Sequence, residues 1–190
     1  FTFNYGDINK LHNLIKKEKI GVIKMEVARS SLPDVPFLKK VRELANKNNI
    51  VLIFDECTSG FRRNLGGLHL LTGVNPDIAM FGKALGNGYA ITAVIGKSKV
   101  MNRAKKSFIS STFWSERIGF SAGIATISYM KKNKTWEKLI NSGKYLNSKW
   151  REISNKYELS IEISGIEAIT QFRFDYKNNH YLKNFLTQEM

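Results

Sequence analysis

IVLIFDE, residues 50–56, is the most strand-like stretch of the chain: five apolar residues in succession, then two carboxylates. A strand wetted on one side alternates apolar and polar residues. A run apolar on both alternating faces therefore predicts a central parallel strand covered above and below. Upstream, GVIKMEVA at 21–28 is a shorter apolar run between turn formers and predicts a second buried strand. Between them, FLKKVRELANKNN at 37–49 places Phe37, Leu38, Val41, Leu44 and Ala45 at helical spacing. Pro33 and Pro36 break any helix before it, so 30–36 reads as loop. Strand, helix, strand is the repeating unit of an α/β sheet.

The same reading extends outward. Ile8, Leu11, Leu14 and Ile15 predict a helix over 8–18, and the opening FTFNYGDINK reads as a strand entering from upstream. Downstream, LGGLHLLTGV is loop and short helix, and strands are expected at 78–81 and 91–96. A helix rich in small residues follows over 115–131, and helical spacing continues over 134–150. Residues 159–174 alternate and predict a hairpin or a meander. A boundary near Lys134 separates part of a large α/β domain, residues 1–133, from part of a smaller α+β domain, residues 134–190.

Composition narrows the function class. The 190 residues are 43% hydrophobic and 24% charged, ordinary for a globular protein. There are 30 Lys and Arg against 16 Asp and Glu, a net charge of +14. The basic residues are scattered, without zinc-ligand spacing, an aromatic RNA-binding box or a dense Arg stripe. No nucleic-acid partner is therefore expected, and the basic surface leaves room for anionic substrates. No run of 18 apolar residues occurs, so no membrane partner is expected. A single cysteine, Cys57, and an opening without a secretory signal point to the cytoplasm. Cys57 beside Asp55 and Glu56 reads as a small buried thiol whose pKa is raised. The chain opens without an initiator Met and reads as a large piece of a longer protein.

In open α/β sheets, ligands sit beyond the carboxyl ends of the strands. Asp55 follows IVLIF there, and Lys83 follows IAMFG and precedes ALGNGYA. A lysine amine condenses with an aldehyde cofactor, and a carboxylate keeps a pyridine ring nitrogen protonated so that the ring accepts electrons. On the residues alone, an Asp–Lys ion pair beside a glycine turn explains the same pattern.

Three motifs stand in series: FDECTSGFR at 54–62, GVNPDIAMFGKALGNGYAITAVIG at 73–96 and FISSTFWSERIG at 108–119. Together they resemble the class III, fold-type I aminotransferases, within them the branch of glutamate-1-semialdehyde aminomutase and its aminotransferase relatives. The resemblance implies a pyridoxal 5'-phosphate cofactor, held by Lys83 as Schiff base and proton shuttle and by Asp55 at the pyridine nitrogen. Thr112 in SSTFW matches the threonine that bonds the cofactor phosphate from the neighbouring subunit, which implies a homodimer. Gly119, Ala122, Gly123 and Ala125 permit close packing there. No metal is implied. The activity implied is transamination between a small-molecule amino donor and a keto or aldehyde acceptor. Intramolecular amino transfer is the alternative; an inactive fragment and a basic nucleic-acid-binding domain rank below both. The phosphate cup, ring-stacking aromatic and substrate-carboxylate arginine of such enzymes are expected outside this chain, so this stretch alone is expected to bind cofactor poorly and to be inactive.

Other residues read as structural. Glu26 stands where the family often has Glu-Pro, but Val27 replaces the proline, leaving Glu26 a strand-end residue. Arg62 reads as a loop tie, His69 as a satisfied, partly buried histidine, and His12 and His180 as surface residues. Phe113 and Trp114 read as core packing, with a pocket wall as the alternative.

Overall fold

A computed structural model describes residues 1–28, 31–110, 112–113 and 115–190. Helix α1 (Ile8–Lys17) starts where the Asp7 side chain accepts from the Lys10 N–H. Strand β1 (Val22–Glu26) follows it. Helix α2 (Val35–Lys47) is capped in the same way by Asp34, which accepts from Phe37 N at 3.0 Å. Pro36 sits in the first turn of α2, where its missing N–H has no helical partner to lose. The helix therefore begins two residues before the periodicity placed it. Strands β2 (Val51–Asp55), β3 (Ile78–Phe81) and β4 (Ala93–Gly96) complete a sheet in the order β1-β2-β3-β4.

The first three strands are parallel, and β4 returns antiparallel. Length explains the reversal: a parallel return needs a crossover of a dozen or more residues, usually a helix, and residues 82–92 hold only one short 3-10 turn, Lys83–Leu85. The architecture is thus α/β with a mostly parallel sheet. Its register sets Glu26 beside Asp55, and Asp55 beside Met80, at the carboxyl edge of the parallel strands.

The core lies under one face. Leu52 and Phe54 of β2 are fully buried against Leu38 and Val41 of α2, together with Val27. The other face of β2, with Val51, Ile53 and Asp55, is only half-buried, so the expected cover on both sides is found on one among the described residues. A second cluster joins Phe61, Phe81, Leu85 and Met130, with the Phe61 and Phe81 rings edge to face at 5.5 Å.

Beyond the sheet come α3 (Ser98–Met101), a 3-10 turn at Ala104–Lys106, α4 (Arg117–Asn133) and α5 (Thr135–Lys156). Lys134 joins the last two in the left-handed region at φ 46°. β5 (Ile161–Ser164) and β6 (Gln171–Phe174) form an antiparallel hairpin, one of the two forms expected, with a 3-10 turn at Glu167–Ile169 between them. Ile166, 1% exposed, packs into the main core. A final helix, α6 (Asn179–Glu189), was not expected. The strand expected at the opening is absent. Residues 1–6 are coil and a turn, anchored by the Tyr5 hydroxyl, which donates to Val27 O and accepts from Asp34 N.

Candidate functional site at the carboxyl edge of the sheet

Asp55 ends β2 and is clamped from two sides. Oδ1 accepts from the Cys57 N–H at 3.1 Å, and Oδ2 meets Lys24 Nζ at 3.0 Å. Burial works to raise the Asp55 carboxyl, but the Lys24 ammonium and the Cys57 amide outweigh it and hold the group below the ordinary carboxylate value. Asp55 is therefore ionised at neutral pH.

The next residue turns the other way. Glu56 is fully buried on the core side and accepts from Ser59 Oγ at 2.8 Å, Leu68 N at 2.7 Å and His69 N at 2.9 Å. Its Oε1 also lies 2.6 Å from His69 Nδ1. One carboxylate thus caps the 3-10 turn Leu68–Leu71 and pins the loop 56–72 from within. A Cβ at Gly67 would stand 2.4 Å from His69 Nδ1 and 2.7 Å from Glu56 Oε1, so only glycine lets the loop close on this pair. His69 is satisfied, as expected, but buried rather than partly buried. Arg62 is the expected loop tie: its Nε donates to Thr58 O at 3.3 Å, and burial lowers its pKa.

Lys83 stands two residues beyond β3, after Gly82, and opens the 3-10 turn. Its φ is +45°, a left-handed backbone that a non-glycine residue rarely adopts and that is held where the surroundings enforce it. The Lys83 carbonyl accepts from the N–H groups of Gly86 and Asn87, which fixes that turn. Nζ donates to Thr58 Oγ1 at 2.7 Å. The direct Asp–Lys ion pair that the residues alone left open is not formed. Lys24 is the cation on Asp55, and Thr58 holds Lys83. Neither Lys24 nor Thr58 was anticipated. Cys57 lies between the two groups and is half-buried rather than buried. Burial, then the neighbouring Asp55 carboxylate, push its thiol pKa up, with Lys83 and Lys24 pulling against them.

An open groove of about 680 Å³ runs from Lys83 past Thr92, Ile109, Phe113 and Phe120. Phe113 therefore lines a pocket, its alternative reading. Thr112 is exposed in the turn before α4, and among the described residues no hydrogen bond joins it to Lys83 or Asp55 of its own chain. Trp114 lies outside the described residues. Gly119 serves an intrachain contact, since a Cβ there would stand 2.5 Å from Ala90 O. A smaller cavity of about 400 Å³, lined by Tyr5, Lys24, Glu26 and Ser31, opens beside Lys24. Glu26 is half-buried at the end of β1, and His12 and His180 are exposed. Among the described residues no helix is long and apolar enough to cross a membrane.

This arrangement offers an amine on a strained turn, with an ionised carboxylate one strand away. The comparisons with known proteins agree with that chemistry. The family model described as Aminotransferase class-III matches residues 25–188. The 3-aminobutyryl-CoA aminotransferase of Cloacimonas acidaminovorans (strain Evry) is 34% identical over 174 residues, 87% of this chain and 42% of that protein. The glutamate-1-semialdehyde 2,1-aminomutase of Methanococcoides burtonii is 30% identical over 186 residues, 93% of this chain and 44% of that one. The chain thus spans less than half the length of these curated relatives. Among solved structures, the PLP internal aldimine form of the Sphingopyxis sp. MTA144 FumI protein is similar with a TM-score of 0.87 and 24% identity, over 92% of this chain and 44% of that one. The acetylornithine aminotransferase of Elizabethkingia anophelis is similar at 0.82 and 24%, over 97% of this chain and 48% of the other. At these identities the structural likeness shows the fold.

Proposed function

This chain belongs to the class III aminotransferase family, and on that premise we propose that the whole protein is a pyridoxal 5'-phosphate-dependent aminotransferase. It transfers an amino group from a small-molecule donor to a keto or aldehyde acceptor. The observation that carries this reading is Lys83, held at φ +45° beyond β3 with its amine on Thr58, one strand from the ionised Asp55.

The donor set fits the cofactor. Lys83 is the amine for its aldehyde, and Asp55, ionised and half-buried, is the counter-charge for its ring nitrogen. When bound, the cofactor supplies an aldehyde and a protonated pyridine ring that takes up the electron pair released at the substrate α carbon. Lys83 would hold the cofactor through its amine, and that amine, once free, would serve as the base that takes and returns a proton. Thr58 holds the amine in position before it is engaged. Glu56 acts through the backbone: by pinning loop 56–72 it fixes the Asp55–Thr58 turn from the core side.

The remaining parts of the proposal follow the family. Thr112 bonds the cofactor phosphate of a partner subunit, which makes the protein a homodimer with shared sites. Residues 1–133 are part of the large cofactor-binding domain and 134–190 part of the small one, and the protein works in the cytoplasm. The aminomutase relatives at about the same identity support a second reading, in which the amino group moves within one molecule. Supplying the whole protein with amino donors and assaying for a released keto acid separates the two. Release that disappears with Lys83→Ala supports the aminotransferase. Conversion of a semialdehyde without any keto acid supports the aminomutase.

A further inference from the structure

Lys24 stands in the middle of β1 between Ile23, 3% exposed, and Met25, 9% exposed. β1 is buried on one face only, and Lys24 belongs to the other face, where its ammonium meets water or a partner. Strand alternation puts Lys24 on the face opposite those two residues, the half-open face that carries Asp55. Its stem runs along the sheet to place Nζ 3.0 Å from Asp55 Oδ2, with side-chain exposures of 54% for Lys24 and 23% for Asp55. The Cys57 N–H holds the other oxygen. The carboxylate is thus gripped at both oxygens, one grip being a full positive charge.

We propose that Lys24 is a positioning residue for the carboxylate that meets the cofactor ring: its ammonium fixes the rotation of Asp55 and shares that negative charge with the protonated ring nitrogen. The inference rests on the proposed role of Asp55. A carboxylate facing one cation gives it its whole charge. A carboxylate facing two divides it, so the ring keeps its proton less firmly and the bound cofactor loses protons at lower pH. Among the described residues, the other charged groups around Asp55 do not duplicate Lys24, and the Cys57 thiol beside it has its pKa raised. Glu26, its register partner on β1, is negative. Lys83 bonds Thr58, and Glu56 is turned into the core toward His69. Lys24 also lines the cavity beside Glu26 and Ser31, so its charge stands at the rim of the site.

The test is a spectrophotometric pH titration of the visible cofactor band in the whole protein loaded with pyridoxal phosphate. Lys24→Gln should move the titration midpoint up by about half a pH unit, the scale for one partly solvated charge at close range. Lys24→Arg, which restores the charge, should titrate within about 0.1 unit of the natural protein. Lys24→Met repeats the neutral substitution if the glutamine variant fails to fold. A neutral variant that titrates like the natural protein overturns the inference. So does an arginine variant displaced as far as the glutamine one, because shape rather than charge would then be responsible. A natural protein that shows no visible band with pyridoxal phosphate sinks the underlying reading of a cofactor held by Lys83 instead.

Discussion

Asp77→Asn should unlock the base of the sheet, and the structure sets the size of the effect. Asp77 lies just before β3, with its side chain 13% exposed. Its Oδ2 accepts from Leu52 N at 2.9 Å and Arg42 at 2.8 Å, and its Oδ1 from Lys97 at 2.8 Å. One carboxylate therefore ties α2, β2 and the exit of β4 together. Burial pushes its pKa up, but these donors pull it from the ordinary 3.8 down to about 2. At about 1.4 kcal/mol per pH unit, that drop corresponds to roughly 2.5 kcal/mol. The folded value lies below the unfolded one, so this stability is present above pH 4 and is lost as pH falls through 2. Asparagine carries no charge and retains one acceptor for Leu52 N, so the variant should lose about 2 kcal/mol at pH 7. For a chain of this size that lowers Tm by about 4–8 °C. The assay is urea unfolding of both forms at pH 7, 4 and 2. The gap should narrow as pH falls. A difference below about 0.5 kcal/mol at pH 7, or a full gap persisting at pH 2, would refute the reasoning.

Glu56→Gln keeps the shape but loses the charge that four donors surround. It should cost about 3 kcal/mol in urea unfolding, because buried donors around a removed charge are left poorly matched. A change under about 1 kcal/mol would show that the loop is held by other contacts. Asp55→Asn should keep cofactor bound yet reduce turnover by several orders of magnitude, at tenfold per about 1.4 kcal/mol of barrier. Near-normal turnover would leave Asp55 a structural partner of Lys24. Inactive Lys83→Ala chains mixed with an inactive Thr112→Ala variant should regain part of the activity as hybrid dimers with one intact site. Unchanged inactivity on mixing would remove the shared-site model.

The apolar runs were the legible part of the fold. β3 lies at 78–81 as read, and β2 within one residue at each end, because a buried parallel strand announces itself by composition alone. Helix starts were less legible: Pro36 read as a breaker, yet it fits the first turn behind the Asp34 cap. The direction of β4 depends on the length of the link before it, which periodicity does not report. α6 carries Leu182, Phe185 and Leu186 at helical spacing, so its signal is present in the sequence. Motif order singles out Lys83 and Asp55 as candidates, while the partners the structure gives them are not legible in it. Thr58 reaches Lys83 across 25 positions of sequence, and Lys24 reaches Asp55 from a neighbouring strand. Glu56 was legible in principle. Alternation along β2 puts it on the face of Phe54, and a carboxylate on a buried face demands donors.

The central claim is that Lys83 carries the cofactor, and the direct measurement is borohydride reduction of the whole protein loaded with pyridoxal phosphate, followed by peptide mapping. One pyridoxyl-labelled peptide is expected, containing FGKALGNG at 81–88, with loss of both the label and the visible band in Lys83→Ala. A label on another lysine, Lys24 included, or a band that survives in Lys83→Ala, contradicts it.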